Sequence, residues 1–309
     1  MLQIMFFLFL ALPLAASPEA ESSALNPLRI GIMPAVDSVP IIVADEEGYF
    51  ADEGLDVELE LFRSQLNREA ALQAGNIDAT VSDLVNAIRS WDNGADYRVM
   101  SSTQGLFSLV TGPDSGITDA AGWPGQPESV TTGLLEDSII YYTAVRMMQK
   151  AGLDPESLKI VPTLQIPVRV ELLLAGDLEA AVLPEPVTRL ATAGGARVIL
   201  DSGSLSWTPG VVIATGRALR EKPREMEAFL RAYDRGVAAV NQDPDRYRRA
   251  IVETAALPPA TTTTMVLPTY LPAAVPRDEE IGDVARWMLS EGLIDRLPER
   301  EDIVAEAPF

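Results

Sequence analysis

Two eleven-residue stretches, ALQAGNIDATV at 71–81 and LLLAGDLEAAV at 172–182, carry one pattern. Leu72 matches Leu173, Ala74 matches Ala175, Gly75 matches Gly176, Ala79 matches Ala180 and Val81 matches Val182, while Asp78 parallels Glu179. Each copy reads as the end of a helix, a glycine stop and a short strand. The strands deliver Thr80, Ser82 and Asp83 in the first copy and Pro184, Glu185 and Pro186 in the second. A chain that repeats this unit is expected to build two similar α/β lobes whose ligand-facing sheet edges oppose each other.

The stretch that opens the first lobe agrees. Leu28, Ile30 and Ile32 alternate as a strand, Met33 to Val39 holds a proline and small residues where the chain turns, and Pro40 to Tyr49 is helix-compatible with Gly54 as its stop. Leu55 to Leu61 alternates again and completes a βαβ unit. The loop after the first strand thus lies at a strand's carboxyl end and a helix's amino end, where open α/β sheets take ligands. Asp37 and Ser38 in it are candidates for ligand contact, with helix capping as the alternative.

Ser64 is placed to cap a helix reaching Ala74, and Ile77 to Val81 is a buried strand ending at Ser82 and Asp83. Leu84 to Trp91 is helical, and Tyr97 to Ser102 and Gln104 to Pro113 are strand-like. The Gly- and Pro-rich run Ala120 to Glu128 marks a crossing into the second lobe. There Ser129 to Thr132 reads as strand, Gly133 to Asp137 as loop, Ser138 to Ala151 as helix, and Lys159 to Leu164 and Arg197 to Asp201 as strands. Ser202 to Pro209, with Trp207, is the crossing back; Val211 to Thr215 is a strand, and Pro223 to Gln242 is a long amphipathic helix. Two more helices, near Pro244 to Ala256 and Glu279 to Glu291, end the pattern. Two crossings between lobes make a hinge, which favours closure of a cleft around a ligand.

Composition removes most alternatives to binding. The chain has no Cys, which excludes disulfides, thiolate catalysis and Cys-type metal sites. It has no His, which excludes Ser-His-Asp hydrolysis, His general bases and nearly all zinc catalysis. Its lysines, Lys150, Lys159 and Lys222, fall in segments that read as surface, so no catalytic residue, metal or cofactor is expected. A net charge of -21 and a pI near 4.3 disfavour nucleic acid and anionic membrane as partners. Leu2 to Ala16 is an apolar run too short to cross a bilayer comfortably, with Ala15, Ala16 and Ser17 at its end. It reads as a signal peptide over about residues 1–24, exporting the rest to the periplasm or another extracytoplasmic space. No exposed apolar interface is evident, and a monomer is expected.

IGIMPAVDSVPIIVADEEGYFADEGLDVEL, RSQLNREAALQAGNIDATVSD and LLLAGDLEAAVLPEPVTRLATAGGARVILDSG together resemble the periplasmic solute-binding proteins of ABC importers related to thiamine-pyrimidine synthase, over Leu28 to Ala256. Related members bind aliphatic sulfonates, taurine, nitrate, thiamine pyrimidine precursors or riboflavin. The resemblance implies a type II periplasmic-binding fold with a central ligand cleft, lobe I from 28–113 and 211–309 and lobe II from 114–210. It also implies delivery of a small-molecule ligand to an ABC permease with its ATPase. The eukaryotic enzyme branch of that family uses its own His, a pyridoxal phosphate-bearing Lys and a Cys-rich motif; a chain without His or Cys cannot run that chemistry.

Ligand class turns on which acidic residues face the cleft. Glu136 and Asp137 stand at a helix start; they either stabilise its amino end from the solvent side or join Asp37, Asp83 and Glu185 in repelling a small anion. The second case favours a neutral or cationic heterocycle against a wall offered by Trp207, Tyr141 and Leu135. Arg63 and Arg169 are the anion's candidates, and Gln65, Gln104 and Gln165 can read an amide or ring nitrogen. The expected ligand-binding set is Asp37, Ser38, Ser64, Gln65, Ser82, Asp83, Gln104, Leu135, Asp137, Ser138, Gln165, Glu185 and Trp207.

Overall fold

The structure, a computed structural model, describes residues 25–125, 128–163 and 165–306; the expected signal peptide lies outside them. The first elements are β1 (Leu28–Ile32), α1 (Val39–Glu46), α2 (Tyr49–Asp52), β2 (Val57–Leu61), α3 (Gln65–Gln73), β3 (Ala79–Asp83), α4 (Leu84–Asp92) and β4 (Tyr97–Ser102). Then come β5 (Phe107–Thr111), β6 (Val130–Leu134), α5 (Ile139–Lys150), β7 (Leu158–Pro162), α6 (Ile166–Ala175), β8 (Ala180–Pro184), α7 (Val187–Ala193) and β9 (Arg197–Asp201). The chain continues through β10 (Gly210–Thr215), α8 (Gly216–Glu221), α9 (Pro223–Gln242), α10 (Pro244–Thr254), α11 (Asp278–Ser290) and α12 (Arg300–Ile303).

The strands form two five-stranded sheets with one winding, β2-β1-β3-β10-β4 and β7-β6-β8-β5-β9. In each, the first three strands are parallel and the fourth runs against its neighbours. Registers coincide: Ile30 and Gly31 pair with Ala79 and Thr80 as Thr132 and Gly133 pair with Ala180 and Ala181. Both fourth strands shift register at the same place, between Val212 and Ile213 in one sheet and Leu109 and Val110 in the other. The paired acids of the repeat do one job, since Asp78 accepts the Arg29 amide at 2.9 Å and Glu179 accepts the Thr131 amide at 2.9 Å. Gly75 and Gly176 end their helices with φ of 70° and 82°, a conformation glycine adopts without strain.

Two expectations need correction. Phe107–Thr111, placed by sequence in lobe I, pairs with β8 and β9 and so belongs to lobe II. All five of its residues are buried, and a strand buried on both faces with partners on both edges sits inside a sheet. The crossings are therefore Thr103–Leu106 and Ser202–Pro209, and lobe II spans 107–201 rather than 114–210. The described start of the Gly- and Pro-rich run, residues 120–125, lies within lobe II and is anchored by buried Trp123, whose indole Nε1 donates to Ser157 at 2.9 Å. The helix expected from Pro40 to Tyr49 is divided, because Gly48 takes a φ of 74° between α1 and α2. Among the described residues no helix is long and apolar enough to cross a membrane.

Candidate functional site

The carboxyl ends of the parallel strands of the two sheets face each other, and the lobes touch. The Val36 amide donates to the Glu185 carbonyl at 3.3 Å, and Arg89 of α4 pairs with the Asp137 carboxylate at 2.9 Å. On the flank, Tyr142 of α5 donates to Asp283 of α11 at 2.6 Å, and Arg146 reaches the other oxygen of that carboxylate at 2.9 Å. The Tyr142 ring lies edge-on to Trp287 with centroids 5.2 Å apart, and Trp207 of the return crossing tilts against it at 6.2 Å.

Lobe I presents an acidic floor. Asp83 ends β3 and caps α4, accepting the Asn86 amide at 2.8 Å. Ser82 Oγ accepts from Asn86 Nδ2 at 3.0 Å and from Arg68 Nη2 at 3.3 Å. Arg68 also holds Glu69 at 2.5 Å. The Asp37 loop is pinned from three sides: Ser38 Oγ accepts the Met33 amide at 3.2 Å, Thr103 donates to the Asp37 carbonyl at 2.9 Å, and Tyr270 donates to the Val36 carbonyl at 2.6 Å. Ser38 stands at the start of α1 without a side-chain capping bond, so it fixes the loop rather than the helix end. Asp37 is half-buried as a residue, with its carboxyl on the enclosed side. Burial raises the pKa of Asp37 to about 6, against the Arg68 charge, with Asp83 adding to the rise. Burial likewise raises Asp83 to about 6, against its bond from Asn86 and the Arg68 charge. Arg68, whose ion pair is with Glu69, thus offsets the burial of both carboxyls without pairing with either, and a cationic or N–H-rich ligand would relieve both.

Lobe II is built differently. Ser138 caps α5, accepting the Tyr141 amide at 3.3 Å and donating to the Leu135 carbonyl at 2.6 Å. Glu136 is exposed, and Asp137, also exposed, is neutralised by Arg89 across the seam. Glu185 is 2 % exposed; Arg189 Nε donates to its Oε1 at 2.7 Å, and its Oε2 has no hydrogen-bond partner among the described residues. Burial raises the Glu185 pKa, with Arg189 opposing.

Of the expected residues, Asp37, Ser38, Ser82, Asp83 and Glu185 gather at the meeting edges, with Leu135, Asp137 and Ser138 on the facing loop. Gln104 is half-buried in the first crossing, and Trp207 is half-buried against Tyr142. Ser64 caps α3 through the Asn67 amide at 3.5 Å, while Gln65 and Gln165 are exposed at helix starts. Arg63 points away, toward the carbonyls of Thr254 and Ala255. Lys222, read as surface, is half-buried and pairs with Asp78 at 2.9 Å. Arg68 went unnoticed in the sequence. Extending the repeat three residues upstream would have found it, since Arg68 then matches Arg169.

A family model described as NMT1/THI5 like matches residues 35–247, which takes in most of both lobes and both crossings. The chain belongs to this family. A relative of this NMT1/THI5-like chain, named as an ABC transporter periplasmic binding protein of Brachyspira hyodysenteriae, is 22 % identical over 255 residues, 77 % of this chain and 72 % of the relative. The crystal structure of the periplasmic aliphatic sulphonate binding protein SsuA from Escherichia coli superposes with a TM-score of 0.72 at 16 % identity, covering 91 % of this chain and 92 % of SsuA. The periplasmic nitrate-binding protein NrtA from Synechocystis PCC 6803 gives a TM-score of 0.68 at 14 % identity, covering 87 % and 81 %. The two-lobed α/β architecture of the NMT1/THI5-like chain is thus the periplasmic-binding-protein fold.

Proposed function

We propose that this NMT1/THI5-like protein is an extracytoplasmic solute-binding protein that captures a small molecule between its lobes and delivers it to an ABC permease with its ATPase. The observation that carries the reading is the pair Asp37 and Asp83 at the carboxyl edge of sheet one, both raised in pKa by burial and neither ion-paired among the described residues, beside the Val36–Glu185 contact between the lobes. A neutral or cationic heterocycle with N–H donors, such as a thiamine pyrimidine precursor or riboflavin, supplies what they lack. Binding favours the closed state by its differential affinity for that state, and the permease reads the outer faces of both lobes. The protein acts as a monomer in the periplasm or an equivalent space, does no chemistry on the solute and needs no cofactor. An extracytoplasmic sensor would use the same cleft, with a receptor in place of the permease.

A second reading, a sulfonate- or nitrate-binding protein, is favoured by Arg169, which is buried without a carboxylate partner among the described residues, and by the ligands named for SsuA and NrtA. The test is a thermal-shift screen of ligand-stripped mature protein against aminopyrimidines, thiamine, riboflavin, taurine, alkanesulfonates and nitrate. Ligand at a hundred times its Kd adds about 2.7 kcal/mol, a shift of up to several degrees. Stabilisation by a heterocycle alone supports the acidic floor as the site; stabilisation by sulfonate or nitrate alone moves the site to Arg169; none by any solute defeats the proposal.

A further inference from the structure

Helix α5 follows β6 as α1 follows β1, but the two helices are covered differently. In lobe I, α1 packs against α9 and α10 of its own lobe. Lobe II has no counterpart of those helices among the described residues, and α5 instead reaches across to α11, a helix of lobe I.

The meeting is two residues against two, each pair one turn apart on its helix: Tyr142 and Arg146 on α5, Asp283 and Trp287 on α11. Tyr142 Oη donates to Asp283 Oδ2 at 2.6 Å and Arg146 Nη2 to Oδ1 at 2.9 Å, so a phenol and a guanidinium share one carboxylate. Tyr142 is 2 % exposed and belongs to the apolar cluster of lobe I that holds Ile281, Val284 and Trp287. The neighbouring Tyr141 ring stands edge-on to Trp287 with centroids 5.7 Å apart. Helix α5 is also tied to the return crossing, by Trp207 against Tyr142 and by the Lys150 ammonium, which donates to the Ser204 carbonyl.

The crossings leave the β10-β4 side of sheet one and enter the β5-β9 side of sheet two, with β2 and β7 at the far edges. Opening about the crossings therefore carries β2 and β7 farthest apart. The bonds that α5 and its leading loop make to lobe I run from Asp137 to Arg146, about 14 Å of helical rise. A rigid helix that swings away with lobe II cannot keep contacts spread over that length, so opening draws Tyr142 out of lobe I and leaves Asp283 to water. The seam is balanced rather than welded. Arg146 Nε and Trp287 Nε1 are buried there without a hydrogen-bond partner among the described residues, and closure strands both. Against that cost stand the two bonds to Asp283, one between full charges, and the burial of the Tyr142 ring on Trp287.

We propose that α5 and α11 form a clasp beside the return crossing, with Asp283 as the positioning residue that holds Tyr142 and Arg146, and that this clasp sets the balance between open and closed cleft before any solute binds. The inference rests on the reading of the cleft as a solute site that opens and closes, and names the contact against which a solute's differential affinity works.

A chain without Cys takes site-specific labels cleanly. Spin labels on the substitutions Glu60→Cys in β2 and Lys159→Cys in β7, both at exposed positions on the far edges, report the separation of the lobes in the full mature chain without solute. The labelled parent should populate mainly a short, closed distance. Asp283→Asn and Tyr142→Phe should each raise the open-to-closed ratio about tenfold, and together less than about a hundredfold, since both remove the same bond. Circular dichroism and the Tm check that each variant folds, and Tyr142→Phe keeps the ring that fills the cluster. Folded variants with the parent's distances overturn the inference, as does a parent without a short-distance population. The solute reading is decided separately by the thermal-shift screen. A solute that stabilises the protein while the variants keep the parent's distances sinks the clasp alone; variants that open as expected while no solute stabilises support the clasp and defeat the solute reading.

Discussion

Lobe I leaves Asp37 and Asp83 at its ligand edge without an ion pair among the described residues, Arg68 being held by Glu69, whereas lobe II pairs off Asp137 and Glu185 with Arg89 and Arg189 and leaves Arg169 without an acid among the described residues. Beneath those edges the lobes agree strand for strand, in winding, in register and in the place where the fourth strand slips. Agreement is confined to what the backbone requires: the turning glycines, the carboxylates of Asp78 and Glu179 on a strand amide, the small residues in the inner strands. Side chains past the strand ends answer to the ligand and to the other lobe, so they diverge while the scaffold does not.

The largest expected effect separates Asp78 from Glu179. Both hold a strand amide, but Asp78 is buried and also pairs with Lys222, while Glu179 is exposed. Asp78→Ala should cost about 2–4 kcal/mol in urea unfolding, by stranding a half-buried ammonium, and Glu179→Ala less than about 1 kcal/mol. Equal losses would mean that the shared amide bond, rather than the added ion pair, sets the cost.

The acidic floor should make lobe I the pH-sensitive lobe. Asp37 and Asp83 have folded pKa values near 6 against a reference of 3.8, so the folded state binds protons more readily than the unfolded one between those values. Their contribution to stability is fully present below pH 3.8 and is lost as pH rises through 6. The ligand-free protein should lose on the order of 2 kcal/mol over that window relative to the Asp37→Asn, Asp83→Asn double variant. Affinity for a cationic solute should run the other way, rising toward pH 7 as the carboxylates ionise. A difference between the two proteins that does not change with pH would show that these carboxyls sit in water.

Two glycines sharpen the comparison further. A Cβ at Gly31 would meet Thr80 Oγ1 at 2.7 Å and Ile77 Cδ1 at 2.8 Å, whereas at the equivalent Gly133 it would meet only the Leu178 Cδ1 tip so closely, at 2.6 Å. Gly31→Ala should cost about 2 kcal/mol and Gly133→Ala about 1 kcal/mol, a difference in Tm between the two variants. The smallest effect is at the seam. Arg89 is half-buried and Asp137 exposed, so Arg89→Met should weaken solute binding by no more than about 1 kcal/mol, and by less in high salt. A larger loss would mean that Arg89 touches the solute.

Much of the scaffold was legible because its signals are local. The alternation at Leu28–Ile32, the Ser64 cap, and the repeat around Gly75 and Gly176 each fix an element without reference to distant residues. The sheet that receives β5 was not legible: FSLVT looks the same whichever neighbours it takes, and the proline-rich loop beyond it imitated a boundary. The site was half legible. Asp83 and Glu185 follow from standing at strand ends, but Arg68 lies inside an ordinary amphipathic helix and gains meaning only when folding brings Ser82 and two carboxylates to it. Asp283 and its bonds to Tyr142 and Arg146 join residues far apart in sequence, and no spacing rule reaches across that distance.

The position of β10 bears on how the molecule is made. In sheet one β4 takes β10 as its one neighbouring strand among the described residues, with Val304 bridging Val99 on the other edge, and β10 follows β4 only after the whole of lobe II. Every strand of sheet two, by contrast, is contained between Phe107 and Asp201. A growing or translocating chain therefore holds a complete set of partners for the inserted lobe while the enclosing lobe still has an orphaned edge. The inserted lobe can therefore close its sheet before the enclosing lobe has all its strands, and the strand that completes lobe I is the one that leads out of the return crossing.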